Sequence, residues 1–243
     1  MKVLIAEDDE LHRAFLRSAV ENALPECEEI VEVADGSGVI DALEKFDLKL
    51  IVMDLQMPGI NGVDAAKEVW RLQAAAKILF WSNYADEAYV RGVARIVPKN
   101  VVYGYLLKSA SEDRLQLAVR GVFLEDQCII DREIRGIQQR SQNSLDGLND
   151  HEYEVLTDIA LGMTDKSIAA RREISTRAVQ SRLKQLYEKL GIGLEDTELD
   201  VSPIFNSRTR AVMVAFSRGL LNVDALMNCE AKLKTWLSGR RVL

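Results

Sequence analysis

The sequence predicts an α/β domain on a doubly wound, five-stranded parallel sheet, followed by an all-α domain. Short apolar runs rich in β-branched residues recur five times before Ser109, which is how strands buried on both faces read. Between them lie stretches with helical apolar spacing, and such alternation implies a parallel sheet with helices on both sides. The second half shows instead short helical periods closed by glycines.

Val3-Leu4-Ile5-Ala6 is the first strand and runs into Glu7, Asp8, Asp9 and Glu10. Leu11, Phe15, Leu16, Ala19, Val20 and Ala23 follow at helical spacing until Pro25 stops the helix. Ile30 to Ala34 reads as the second strand, Asp35-Gly36 as a turn, and Val39, Ile40, Ala42, Leu43 and Phe46 as the next helix face. The third strand, Leu50 to Met53, ends at Asp54, and the Pro58-Gly59 and Asn61-Gly62 pairs turn the chain just beyond it. A helix from Val63 to about Ala75 leads to the fourth strand, Lys77 to Trp81, ending at Ser82. A helix around Ala85 to Ala94 precedes the fifth strand, Tyr105-Leu106-Leu107, which ends at Lys108. Ser111-Glu112-Asp113 caps the last helix of this half.

Composition narrows the class. No stretch approaches the ~18 apolar residues of a membrane helix, and the first strand meets acids at once, unlike a signal peptide. Cys27, Cys128 and Cys229 are far apart and odd in number, which fits reduced thiols in a cytoplasm better than a disulfide framework or metal cluster. The net charge of -7 is uneven: residues 1–125 hold 14 Lys and Arg against 21 Asp and Glu, whereas the remainder is neutral. Gly162 to Gly191 is locally basic, with seven cations against three acids. Cation-binding chemistry in front and an anionic partner behind is the simplest reading.

In open α/β sheets the ligand crevice lies beyond the carboxyl ends of the strands. Those ends carry Glu7, Asp8 and Asp9, then Asp54, then Ser82, then Lys108. Clustered carboxylates repel unless a cation joins them, and Mg²⁺ suits one or two carboxylates plus a phosphate. Lys108 is a compact charge for a phosphoryl oxygen, Ser82 a hydrogen-bond donor to another, and Asp54 the carboxylate placed to accept the group.

Asp54-x-x-Met57-Pro58-x-x-Asn61-Gly62 and Gly104-Tyr105-Leu106-Leu107-Lys108 resemble the receiver domain of two-component response regulators over residues 1–125. The resemblance implies a flavodoxin-like, CheY-like fold with Asp54 as phosphoacceptor. It implies Mg²⁺ held by Asp8, Glu7, Asp54 and the Gln56 backbone carbonyl, Ser82 and Tyr105 as switch residues, and Lys108 on the phosphate. Glu7 and Asp8 are chosen because they directly follow the strand, with Asp9 the alternative for one of them. Ser82 stands where Thr is commoner, and Ser109 where Pro is frequent, so the peptide after Lys108 need not be cis. The segment 93–103 is longer than usual and leaves the dimer geometry open.

Ser141 to Gly147 has linker composition, so the domains are expected at 1–125 and 148–243, joined by 126–147, where Ile129-Ile130-Asp131 precede a polar helical stretch. Asn149 and Glu152 form a capping-box signature. Thr164 caps a short helix, and Ser175 or Thr176 a basic one closed by Gly191, which together make a helix-turn-helix. Gln180, Ser181 and Lys184 share the face opposite its apolar stripe and suit base edges, while Arg171, Arg172, Arg177 and Lys189 suit phosphates. Glu152-x-Glu154-Val155-Leu156, Lys166-x-Ile168-Ala169 and Lys189-Leu190-Gly191 resemble the LuxR/NarL-type output domain, which adds Lys166 to the DNA-facing set. Ala178, Gln180 and Arg182 stand where that family has Thr, Lys and His, so the site read should differ. Residues 193–206 are an acidic insertion, Met213 to Leu221 resembles the helix that carries the DNA-bound dimer contact, and Val223 to Leu237 is an extra stretch for core cover or dimer extension.

The expectation is a cytoplasmic transcription regulator, not an enzyme, phosphorylated by a sensor histidine kinase, binding double-stranded DNA in the major groove as a homodimer, with no membrane. The alternative is a receiver-controlled protein-interaction module that does not bind DNA. A phosphohydrolase would need an acid two residues beyond its nucleophile, and position 56 is Gln.

Overall fold

The structure, a computed structural model, describes residues 1–83, 85–142, 147–192 and 205–240. The chain divides into two compact units, Met1–Ala85 with Tyr89–Gly136, and Asp86–Ala88 with Ile137–Leu243.

The first unit alternates β1 (Lys2–Ala6), α1 (Glu10–Ala23), β2 (Glu29–Val33), α2 (Gly36–Lys45), β3 (Leu50–Met53), α3 (Gly62–Leu72), β4 (Lys77–Ser82), α4 (Glu87–Ile96), β5 (Tyr103–Leu107) and α5 (Glu112–Phe123). With β6 (Ile129–Ile130) added, the strands are all parallel, in the order β2-β1-β3-β4-β5-β6. Residues Val3–Ala6, Ile51–Met53 and Ile78–Phe80 are wholly buried, which is why these runs show no polar alternation. Alternate side chains part to the two faces. Val3, Ile5, Val52, Leu79, Trp81 and Leu106 join α1 and α5 in one core, while Phe80 meets Trp70 of α3 and Tyr105 on the other face.

The expected five strands become six. Ile129–Ile130 form β6, which pairs in parallel with Gly104–Tyr105, and α6 (Arg132–Gln142) follows. Two residues are too few to show a period. Their strand state comes from tertiary anchors: the Asp131 carboxylate accepts from the Leu107 N–H at 2.7 Å and from Arg114 of α5 at 2.6 Å. Thus β6 and α6 occupy much of the stretch expected as a linker, and Ile134 and Ile137 of α6 are buried.

The second unit contains α7 (Asp150–Ala160), α8 (Asp165–Arg171), α9 (Thr176–Leu190), α10 (Ser207–Ser217) and α11 (Val223–Arg240). The Asn149–Glu152 capping box forms in both directions, Thr164 caps α8, and Ser175 rather than Thr176 caps α9. Gly191 ends α9 in the left-handed region, φ 71°, where a side chain would be strained. Val155, Leu156, Ile168, Val179, Leu186, Ala211 and Leu221 make the core, and Leu233 of α11 joins it. On this side α11 covers the core, while Val223, Met227 and Leu237 stay exposed. Residues 193–204 of the acidic insertion and residues 143–146 of the expected linker lie outside the described residues.

Candidate functional site

Sheet order reverses between β1 and β3, the place where such folds bind ligands. Their last residues, Ala6 and Met53, are register partners. Glu7 and Asp54 therefore leave the sheet side by side, and the Asp54 N–H donates to the Ala6 carbonyl at 2.9 Å. On the far side Ser82 pairs with Leu107, so Lys108 emerges next, its N–H on the Ser82 carbonyl at 2.9 Å. The peptide following it is trans.

Glu7, Asp8 and Asp54 bring carboxylate oxygens within 4.8 Å of one another. Glu7 and Asp54 are buried and Asp8 is exposed. Lys108 Nζ answers with 2.8 Å to Glu7 Oε1 and 2.9 Å to Asp54 Oδ2. Its side chain is 5% exposed, and it stands as close to Glu7 Oε2, but without hydrogen-bond alignment, so that oxygen is buried with no bond. One ammonium thus faces three carboxylates, while the Arg13 guanidinium nearby donates to the Glu7 backbone carbonyl at 2.6 Å. Burial pushes the Glu7 carboxyl above its usual range, against the pull of the Lys108 hydrogen bond, and the Asp54 charge adds to the rise. Burial would lower the Lys108 ammonium, but the Glu7 bond and the Asp54 charge outweigh it and hold it high.

Asp9 is the N-cap of α1 and accepts from the His12 N–H at 2.9 Å, which leaves Glu7 and Asp8 as the pair in the cup. Gln56 is exposed on the loop beyond β3 and donates its N–H to Asp54 Oδ1 at 3.2 Å. That loop is pinned by Gly62, whose missing Cβ would lie 2.0 Å from the Asp54 carbonyl. Asn61 caps α3 there. Ser82 and Tyr105 are both buried, with Tyr105 tilted on Phe80 at 6.1 Å. His12 and Trp81, which sequence reasoning passed over, also reach Lys108: His12 Nδ1 is 3.4 Å from its Nζ, and the Trp81 ring lies beneath it. Strand alternation held the only signal, since the residue before Ser82 must face the opposite side.

In the second unit the cations separate into two groups. Lys166, Arg177 and Lys184 are exposed, as are Gln180 and Ser181. Arg171, Arg172 and Lys189, expected on phosphates, are instead engaged internally. Arg171 and Arg172 hold the buried Asp158 at 3.0 and 2.8 Å, and Lys189 pairs with the buried Glu152 at 2.8 Å and the Gly147 carbonyl at 3.0 Å. Their positions in the sequence look solvent-facing because the acids that bind them lie a helix or more away.

A family model described as the response regulator receiver domain matches residues 3–120, and one described as bacterial regulatory proteins, luxR family, matches residues 146–195. The transcriptional regulatory protein YdfI of Bacillus subtilis (strain 168) is 30% identical over 92% of this chain and 99% of its own. The transcriptional regulatory protein DegU of Brevibacillus brevis is 25% identical over 92% and 96%. Among solved structures, RcsB from Salmonella enterica serovar Typhimurium, bound to promoter rprA in the presence of phosphomimetic BeF3-, gives a TM-score of 0.59 at 20% identity, covering 91% of this chain and 100% of that one, a likeness of fold. The chain belongs to the response regulators, with a receiver domain followed by a LuxR-family regulatory domain.

Proposed function

We propose that the protein is a cytoplasmic, DNA-binding transcription regulator controlled by phosphoryl transfer from a sensor histidine kinase to Asp54. The observation that carries this reading is the charge surplus of the cup: three carboxylates, one ammonium, and a buried Glu7 oxygen without a hydrogen bond. That donor set fits Mg²⁺, a hard cation that takes oxygen ligands. Glu7, Asp8, Asp54 and the Gln56 carbonyl would hold it, and it would supply charge neutralisation for an incoming phosphoryl group. An Asp54 carboxylate oxygen attacks phosphorus as the phosphorus–nitrogen bond to the kinase histidine breaks. Lys108 donates to an oxygen of the transferred group, and the Ser82 hydroxyl donates to another. With Ser82 drawn to the new oxygens, the Tyr105–Phe80 face repacks and the population shifts to a DNA-binding form.

On the DNA side, Gln180, Ser181 and Lys184 read base edges from α9, while Arg177 and Lys166 contact phosphates. The exposed Met213 and Phe216 on α10 suit a homodimer contact on DNA. The first domain runs past residue 125 to take in β6, and the second begins near residue 148. No helix among the described residues is long and apolar enough to cross a membrane.

Pooled genomic fragments tested with and without acetyl phosphate and Mg²⁺ check this reading. Phosphorylated wild-type protein should retain specific fragments, and Asp54→Asn should not respond. Equal retention by all forms would contradict phosphorylation control, and no retention at any salt concentration would favour a protein partner.

A further inference from the structure

The mechanism leaves Trp81 unused. Lys108 Nζ stands over its ring, 5.0 Å from the centroid. Trp81 is on the α1 and α5 side of β4, where Phe15 stacks on it at 5.7 Å with an interplanar angle of 23°. His12 meets the ring edge-on at 5.5 Å and 83°, so the plane is held from two directions. Among the described residues its Nε1 is buried without a hydrogen-bond partner, a standing cost to folding that Phe or Leu at this place would not carry.

We infer that Trp81 is a positioning residue for Lys108, holding the ammonium against Asp54 so that it is in place to receive the phosphoryl group. This rests on Asp54 being the phosphoacceptor. The electron-rich face of an indole attracts an ammonium, and most strongly where water is excluded. Lysine is a point charge on a four-carbon stem with many rotamers, so something must fix it. Glu7 and Asp54 attract it now, but both would change partners with a metal bound and with Asp54 carrying a phosphoryl group. The ring's attraction does not change. It is the constant restraint on a group whose other partners are exchanged during the reaction.

The test uses the full-length protein with acetyl phosphate and Mg²⁺, measuring the rate of adduct formation at Asp54 against donor concentration. Trp81→Leu should lower labelling efficiency about tenfold and Trp81→Phe, which keeps an aromatic face, only about threefold. Loss of packing alone would lower the unfolding midpoint of both variants and leave labelling of the folded protein equal in the two. In a Trp70→Phe, Trp236→Phe protein, Trp81 is the sole indole, and its emission should shift when Lys108→Met removes the ammonium from its face. Equal losses in the two variants, or no loss in either, overturn the inference while leaving Asp54 as the acceptor. Unaltered Trp81 emission overturns it as well. An adduct on a residue other than Asp54 in wild-type protein defeats the phosphoacceptor reading itself, so the two failures are told apart.

Discussion

Asp54 at the end of β3 and Asp158 inside α7 are both buried carboxylates facing cations, and they differ in how the charge is balanced. Asp158 has Arg171 at 3.0 Å and Arg172 at 2.8 Å, with Glu154 a further 3.3 Å partner of Arg172, so two acids meet two guanidiniums. Every charge there has its counterpart, and the group has nothing left to offer a ligand. Around Asp54 the single ammonium of Lys108 serves Glu7 and Asp54 while Asp8 adds a third acid at the rim. A bound Mg²⁺, as proposed for this cup, would relieve such a surplus. A balanced buried ion cluster holds structure, and an unbalanced one marks a site.

The largest effects should run in opposite directions at the two carboxylates. Asp54→Asn should abolish labelling by acetyl phosphate while leaving thermal stability unchanged or raised. Asp158→Ala leaves two guanidiniums without their buried partner and should cost about 3–5 kcal/mol, read by denaturant unfolding. If Asp54→Asn proved the more destabilising change, the contrast would fail.

The same division separates the cations of α8 and α9. Lys184→Ala or Gln180→Ala should weaken binding to a selected DNA site by about 1–3 kcal/mol and relax its sequence preference. Arg177→Ala should weaken all sequences alike and reduce the salt slope by about 1. Arg172→Ala should instead appear in the unfolding curve, because its guanidinium is held at Asp158.

Mg²⁺ should raise the stability of wild-type protein by about 1.4 kcal/mol at ten times its dissociation constant. Chelation should reverse the gain, and Asp54→Asn should blunt it. The smallest effect concerns pH. Because burial raises the folded Glu7 carboxyl above its usual 4.5, the folded state holds more protons than the unfolded one just above that value. Stability from this group is complete below pH 4.5 and is lost as pH rises through the folded value. Glu7→Gln should flatten that decline in metal-free buffer, and an unchanged slope would reassign it to other groups.

The strand-end residues were legible because β-strand register is a strict ruler. Once Ala6 and Met53 are neighbours, Glu7 and Asp54 must be as well, and Ser82 opposite Leu107 places Lys108. The capping box at Asn149 and the stop at Gly191 were readable for the same reason, being local. What could not be read depends on distant partners. Ile129–Ile130 become a strand only because the β5 edge and the Asp131 carboxylate receive them. Arg171 and Arg172 look like solvent-facing cations of a basic segment, and only folding shows Asp158 waiting one helix earlier. Trp81 reads as one more core aromatic until Lys108 is found over its face.

The central claim is tested most directly by locating the phosphoryl adduct. Wild-type protein incubated with acetyl phosphate and Mg²⁺, trapped by borohydride reduction and mapped by mass spectrometry, should carry one modified residue, Asp54, and none when the metal is chelated. A modification at Asp8, at another acid or at none, or one that forms equally well without Mg²⁺, would contradict the account.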